Sequence, residues 1–175
     1  MILEEVKNLY KIITLKEIRR TDKVKFDALD VSQMPHIDGF DRVIHEPNAI
    51  SPSCVGTVKY PWYMHPHQED NLMVLAGTRY IDIYTPEHGE IEHFSVTADK
   101  VCRGNEICYT GAAMLVWPRN VFHRIRSCPQ YGSASVNFAV RFEGFDIKTN
   151  FNIYDINADT GKFKVIRAGH LDQKR

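Results

Sequence analysis

The chain has 175 residues, a length that suits one domain with its own hydrophobic core. Its 22 basic and 22 acidic side chains cancel, and this balance argues against nucleic acid or an anionic membrane surface as partner. The first residues lack a basic n-region followed by an apolar run, and no stretch approaches about 18 apolar residues. A cytoplasmic protein without membrane contact is therefore expected. Cys54, Cys102, Cys108 and Cys128 are far apart and form no Cys-x-x-Cys pair, so they read as small thiols in a reducing compartment.

In residues 2–13, Ile2, Leu3, Val6, Leu9, Tyr10 and Ile13 recur at helical spacing between charged positions, which predicts an amphipathic helix. Residues 14–17 read as a capping box opening a second short helix to Arg20. The β-branched residues of 11–15 read equally as an edge strand, and periodicity does not separate the two. Residues 22–52 are irregular, broken by Pro35, Gly39, Pro47 and Pro52, with a short strand expected over 41–45.

Strands are expected from there on: 55–63, 72–75, 78–84, a hairpin turn at 86–89, then 90–96, 106–109, 114–117, 123–127 and 133–142. In the last of these Val136, Phe138, Val140 and Phe142 share one face, which is predicted to be the core face. Ser135, Asn137, Ala139 and Arg141 share the other, expected to be exposed or at an interface, with Asn137 and Arg141 lining a pocket as the alternative. Residues 151–166 form one more hairpin pattern, turning at residues 159–161. A lone hairpin is marginal in water, so it must pack on the rest of the chain or on a second subunit.

Two stretches carry the chemistry. Residues 62–77 hold His65 and His67 at i and i+2, which places both imidazoles on one side of an extended chain. Glu69 and Asp70 follow, and an apolar run stops at Gly77. Residues 111–123 run from Gly111 through a strand to a turn at Pro118 and Asn120, and present His123 directly after it. Together these stretches resemble the two motifs of the cupin superfamily: His-x-His, a gap, an acid and a glycine six residues on, then Gly, a strand and Pro-x-Gly-x-x-His. Asn120 stands where the second motif has glycine, and asparagine also tolerates a left-handed backbone. The gap before the acid is shorter than the family's, and the acid is aspartate where glutamate is usual.

The resemblance implies an all-β fold, a double-stranded β-helix or cupin jelly-roll barrel. Residues 1–175 are then one cupin domain, with the barrel core at about 50–145, an N-terminal helical extension over 1–21 and a C-terminal hairpin extension over 146–175. It also implies a divalent metal held by His65, His67, Asp70 and His123, with Glu69 as the alternative fourth ligand. Three imidazoles and a carboxylate leave coordination positions open, which suits Fe2+ first, with Mn2+, Ni2+ or Zn2+ as alternatives. The expected function is a dioxygenase-type oxidoreductase acting on a small molecule. A metal-assisted isomerase or lyase, or a non-catalytic sugar-binding cupin, are the alternatives, and a metal-free epimerase working by a His and Asp pair is a third. The two extensions predict a homodimer.

Overall fold

The computed structural model describes residues 1–173. In chain order the strands begin with β1 (Ile2–Val6), β2 (Tyr10–Thr14), β3 (Lys16–Arg20), β4 (Lys25–Ala28), β5 (Gly39–His45) and β6 (Ile50–Ser51). They continue with β7 (Trp62–Met64), β8 (Gln68–Gly77), β9 (Arg79–Tyr84), β10 (Glu92–Thr97), β11 (Lys100–Arg103) and β12 (Glu106–Thr110). After β13 (Ala113–Trp117), β14 (Phe122–Ser127) and β15 (Ser133–Arg141) comes one short helix, α1 (Ile147–Asn150), and then the hairpin β16 (Ile153–Asn157) and β17 (Lys162–Arg167).

Two antiparallel sheets face each other. One has the order β1-β2-β13-β8-β15-β5, and the other runs β12-β11-β10-β9-β14-β7-β16-β17, with β6 also on β14. A small ribbon of β3 and β4 stands apart. Leu72, Val74, Leu115 and Ile12 from the first sheet meet Ile81, Ile83, Phe94 and Val96 from the second in one buried cluster. The expected closed barrel is corrected by this arrangement. Each sheet is open, ending at β1 and β5 or at β12 and β17, and the core lies between two layers. No helix among the described residues is long and apolar enough to cross a membrane.

The expected N-terminal helices are also corrected: the second, to Arg20, is replaced by strand β3, which pairs with β4. Residues 2–13 form two antiparallel strands, β1 and β2, joined by a tight turn in which Asn8 takes a φ of 62°. Asparagine is one of the few residues that enters this left-handed region cheaply. The strand reading of residues 11–15 holds, although β2 is interior, hydrogen-bonded to both β1 and β13. Tertiary pairing decides the matter, because β2 buries Tyr10, Ile12 and Ile13 completely on the extended chain.

Gly77 ends β8 at a φ of 70°, and a Cβ there would sit 2.1 Å from the Gly132 carbonyl oxygen. The close approach explains why the apolar run stops at glycine.

Candidate metal centre

The turn after Pro118 aligns the two histidine-bearing stretches. Asn120 adopts a φ of 67° and donates its N–H to the His65 carbonyl at 2.9 Å. Strand β14 then pairs with β7, setting His123 opposite Tyr63, so His65 and His123 reach the same space between the sheets. From the facing sheet, β8 brings Asp70 opposite Trp117. His65, Asp70 and His123 converge, with one ligand atom from each lying within 4.8 Å of the others, all three residues buried. His65 Nε2 is 3.3 Å and His123 Nε2 4.0 Å from Asp70 Oδ2.

Each side chain is held from behind. His65 Nδ1 donates to the Asn150 carbonyl at 2.7 Å, and His123 Nδ1 faces the Val121 carbonyl at 3.3 Å. Both contacts put the proton on Nδ1 and leave the Nε2 lone pair toward Asp70. Asp70 Oδ1 accepts from Gln68 and Asn137, each at 2.8 Å, and Oδ2 accepts from the Trp117 indole at 3.1 Å. Burial by itself would raise the Asp70 pKa; the adjacent imidazoles and the two amide donors outweigh it and hold the carboxyl below its ordinary value. Burial is the main cause that lowers the His123 pKa, to about 3, and Asp70 only partly opposes it, so the His123 imidazole stays neutral. A neutral imidazole and an ionised carboxylate are the forms that bind metal.

Three buried acceptor atoms therefore point at one another with no donor between them. A cation resolves that repulsion. With metal–ligand bonds of about 2.0–2.2 Å, tetrahedral ligand atoms stand about 3.3–3.6 Å apart, and the 3.3 Å His65–Asp70 contact already fits. The donor set can hold a divalent metal.

His67, expected to converge with the others, does not join the cluster. Its ring packs on the turn at Gly144, where a Cβ would come within 2.9 Å of it, and its buried Nδ1 has no partner. Pro66 and the start of β8 break the alternation that would have kept it beside His65. Glu69 lies on the opposite face of β8 from Asp70, accepts from Asn71 at 3.3 Å, and has its pKa raised by burial.

The cluster forms one end of a cavity of about 400 Å3 between the sheets, lined also by Asp41, His45, Tyr63, Arg79, Asn137 and Arg141. Here the expectation for residues 133–142 is corrected in part: Ser133, Ser135, Asn137 and Ala139 face inward and are buried, while Val136 and Phe138 lie on the outer face, Phe138 against Phe40 and a second apolar cluster of Ile13, Met114 and Val116; Val140 is buried as expected. Gln68 Oε1, Asn137 Oδ1 and Ser135 Oγ are buried without partners. An inward polar face with unmet hydrogen-bonding groups marks an interior built around a polar ligand rather than a filled core.

Sequence reasoning missed three contributors. Trp117 and Gln68 carry no motif signal. Asn150 lies in the C-terminal extension, yet it is fully buried and fixes the His65 ring, while Phe151 packs edge-on against that ring at 4.8 Å. Asn137 and Arg141, for which pocket lining is the second reading, do line the cavity.

The sequence matches no family model and no curated protein. Solved structures do share its fold. A TDP-quinovose 3,4-ketoisomerase from Campylobacter jejuni is 17% identical, with 81% of this chain and 89% of that chain covered at a TM-score of 0.56. A 3,4-ketoisomerase from Helicobacter canadensis is 17% identical, with 77% and 85% covered at 0.52. The 3,4-ketoisomerase QdtA of Thermoanaerobacterium thermosaccharolyticum, as a histidine-to-asparagine variant in complex with TDP-4-keto-6-deoxyglucose, is 13% identical, with 81% and 85% covered at 0.56. This chain is a cupin-fold protein, and its fold is that of sugar ketoisomerases. The expectation of a dioxygenase-type oxidoreductase is corrected on this finding, since the similar structures named above are 3,4-ketoisomerases.

Proposed function

We propose that the cavity is the active site of a metal-assisted isomerase that moves a carbonyl between adjacent carbons of a keto sugar. The observation that carries this reading is the convergence of His65, Asp70 and His123 at one end of a polar cavity. The activities of the proteins that share the fold supply the substrate class.

Such a reaction needs no external oxidant, because one carbon is oxidised as its neighbour is reduced. A base takes the proton from the carbinol carbon, an enediolate forms, and the proton returns to the former carbonyl carbon. One hydroxyl proton moves from oxygen to oxygen to complete the balance. Asp41 fits the base: its Oδ2 accepts from the same Asn137 amide, at 3.2 Å, that serves Asp70, so it borders the cluster without joining it. Tyr63 fits the proton donor to oxygen. Its ring stacks on His65 at 6.1 Å, and burial raises its pKa and keeps the phenol protonated. Gln68 and Asn137 offer their free amide oxygens to sugar hydroxyls.

A divalent cation on His65, Asp70 and His123 would supply positive charge to the developing enediolate oxygen. Fe2+, the first expectation, would act there as a Lewis acid, as would Mn2+, Ni2+ or Zn2+. The four free cysteines suit a cytoplasmic location. A homodimer suits the exposed Phe40 and Ile44 on edge strand β5.

The test is incubation of the metal-loaded chain with TDP-4-keto-6-deoxyglucose, followed by 13C NMR of the carbonyl. Migration of the carbonyl to the adjacent carbon, lost on chelation, is the expected result. An unchanged sugar would oppose the isomerase reading.

A further inference from the structure

The far end of the same cavity holds a group that the isomerisation does not use. Arg79 is 2% exposed, among the most buried large side chains of the protein, and lines the cavity. Its register partner is Ser127, whereas Ile83 pairs with His123, so four residues, or about 13 Å of strand, separate Arg79 from the metal cluster. Nε donates to Ser133 Oγ and Nη2 to the Val43 carbonyl, both at 3.2 Å. A guanidinium carries five N–H donors, so three remain. No carboxylate among the described residues pairs with Arg79, and a buried cation without a counter-ion is costly. His45 stands close by with its buried Nδ1 unpartnered, and it is neutral, so it adds no competing charge.

Two readings of this arrangement differ in what they leave unmet. As a structural pin, Arg79 ties β5 to β15 with two hydrogen bonds, which a neutral side chain could also make without burying a charge. As a ligand group, the remaining donors and the charge are what a planar oxyanion requires, since the guanidinium fork matches carboxylate and phosphate oxygens in pairs.

We propose that Arg79, with His45 beside it, forms an anion subsite that holds a carboxylate or phosphate group of the substrate at the end of the cavity opposite the metal cluster. The proposal rests on the cavity being a substrate site and narrows the substrate to an acidic or phosphorylated sugar.

The experiment titrates the full, metal-loaded chain separately with inorganic phosphate and with succinate. The 15N-resolved Arg79 Nε–H signal is followed, assigned by its absence in Arg79→Lys, with calorimetry in parallel. The expected result is a saturable shift of that signal with at least one anion, and an at least tenfold weaker affinity in Arg79→Met at unchanged metal content. Tighter phosphate assigns a phosphoryl source, and tighter succinate a carboxylate. An Arg79 signal that moves with neither anion would overturn the proposal, as would wild-type affinity in Arg79→Met. The wild-type signal decides the matter if Arg79→Met fails to fold. Anion binding at Arg79 without isomerisation of a keto sugar would leave the subsite standing and remove only the isomerase reading.

Discussion

Replacing Asp70 with asparagine removes one charge and almost no volume, and the surrounding donors set its effect. The carboxylate accepts from Gln68 and Asn137 on Oδ1 and from Trp117 on Oδ2. An amide keeps one acceptor oxygen and turns the other position into a donor. Turned so that its oxygen meets Gln68 and Asn137, its NH2 faces the Trp117 N–H; turned the other way, two donors lose their acceptor. The first orientation is expected, leaving one buried donor unpaired at a cost of about 1–3 kcal/mol. Against a typical stability of about 5–15 kcal/mol, the variant stays folded. Its metal affinity should collapse, because the only anionic ligand is gone. The loss should exceed the roughly 100-fold that altering an outer hydrogen-bond partner can cost. Competition with a chromophoric chelator measures the affinity, and urea melts in excess chelator measure the metal-free stability. A folded Asp70→Asn chain that keeps metal affinity within about tenfold of wild type would refute the assignment of Asp70 as ligand.

His67→Ala, by contrast, should retain stoichiometric metal by elemental analysis, because the His67 ring packs on Gly144 rather than in the cluster; loss of the metal would place His67 back among the ligands. Stability of the metal-free chain should fall on acidification below about pH 6.5. The cause is that burial and the Arg79 charge push His45 down to about 4, and burial also lowers His123. The folded state then refuses protons that the unfolded chain accepts, and a fully buried site of this kind tilts stability by up to about 1.4 kcal/mol per pH unit. Urea midpoints that stay level from neutral pH down to about pH 5 would contradict this origin. Gly77→Ala should cost about 2 kcal/mol or more by thermal melting, since a left-handed backbone meets a clash with the Gly132 carbonyl. Gly89→Ala, at a φ of 80° with open space around it, should cost only the conformational part, about 1–2 kcal/mol; equal losses would rule out the clash. Sedimentation should show a particle of twice 20.2 kDa, and a single-chain mass at micromolar concentration would remove the homodimer.

That His65, Asp70 and His123 come together was legible because local rules suffice for them, whereas the same alternation put His67 beside them wrongly. Pro118 and Asn120 make a turn that only a few residues can make, and Gly77 marks a backbone approach that excludes a side chain. Leu72 and Val74 alternate from Asp70 on the buried face, and this parity separates Asp70 from Glu69. Other features depended on pairing that no window contains. Residues 2–13 match a helical period as readily as two short strands, and β13 as partner decides it. The two faces of β15 misled for a different reason: Phe138 packs on a second apolar cluster on the outer side of the sheet, while Ser135 and Asn137 face the polar cavity. Asn150 closes the back of the site from 85 positions beyond His65, a distance at which sequence carries no signal.

Deuterium exchange tests the central claim most directly. The metal-loaded chain is mixed with TDP-4-keto-6-deoxyglucose in D2O under nitrogen, and proton NMR follows the carbons flanking the carbonyl. Solvent deuterium should enter those positions at a rate that falls to background on chelation and in Asp70→Asn, and that does not depend on oxygen. A chain with its full complement of metal that neither exchanges carbon-bound hydrogen nor moves the carbonyl would contradict the account.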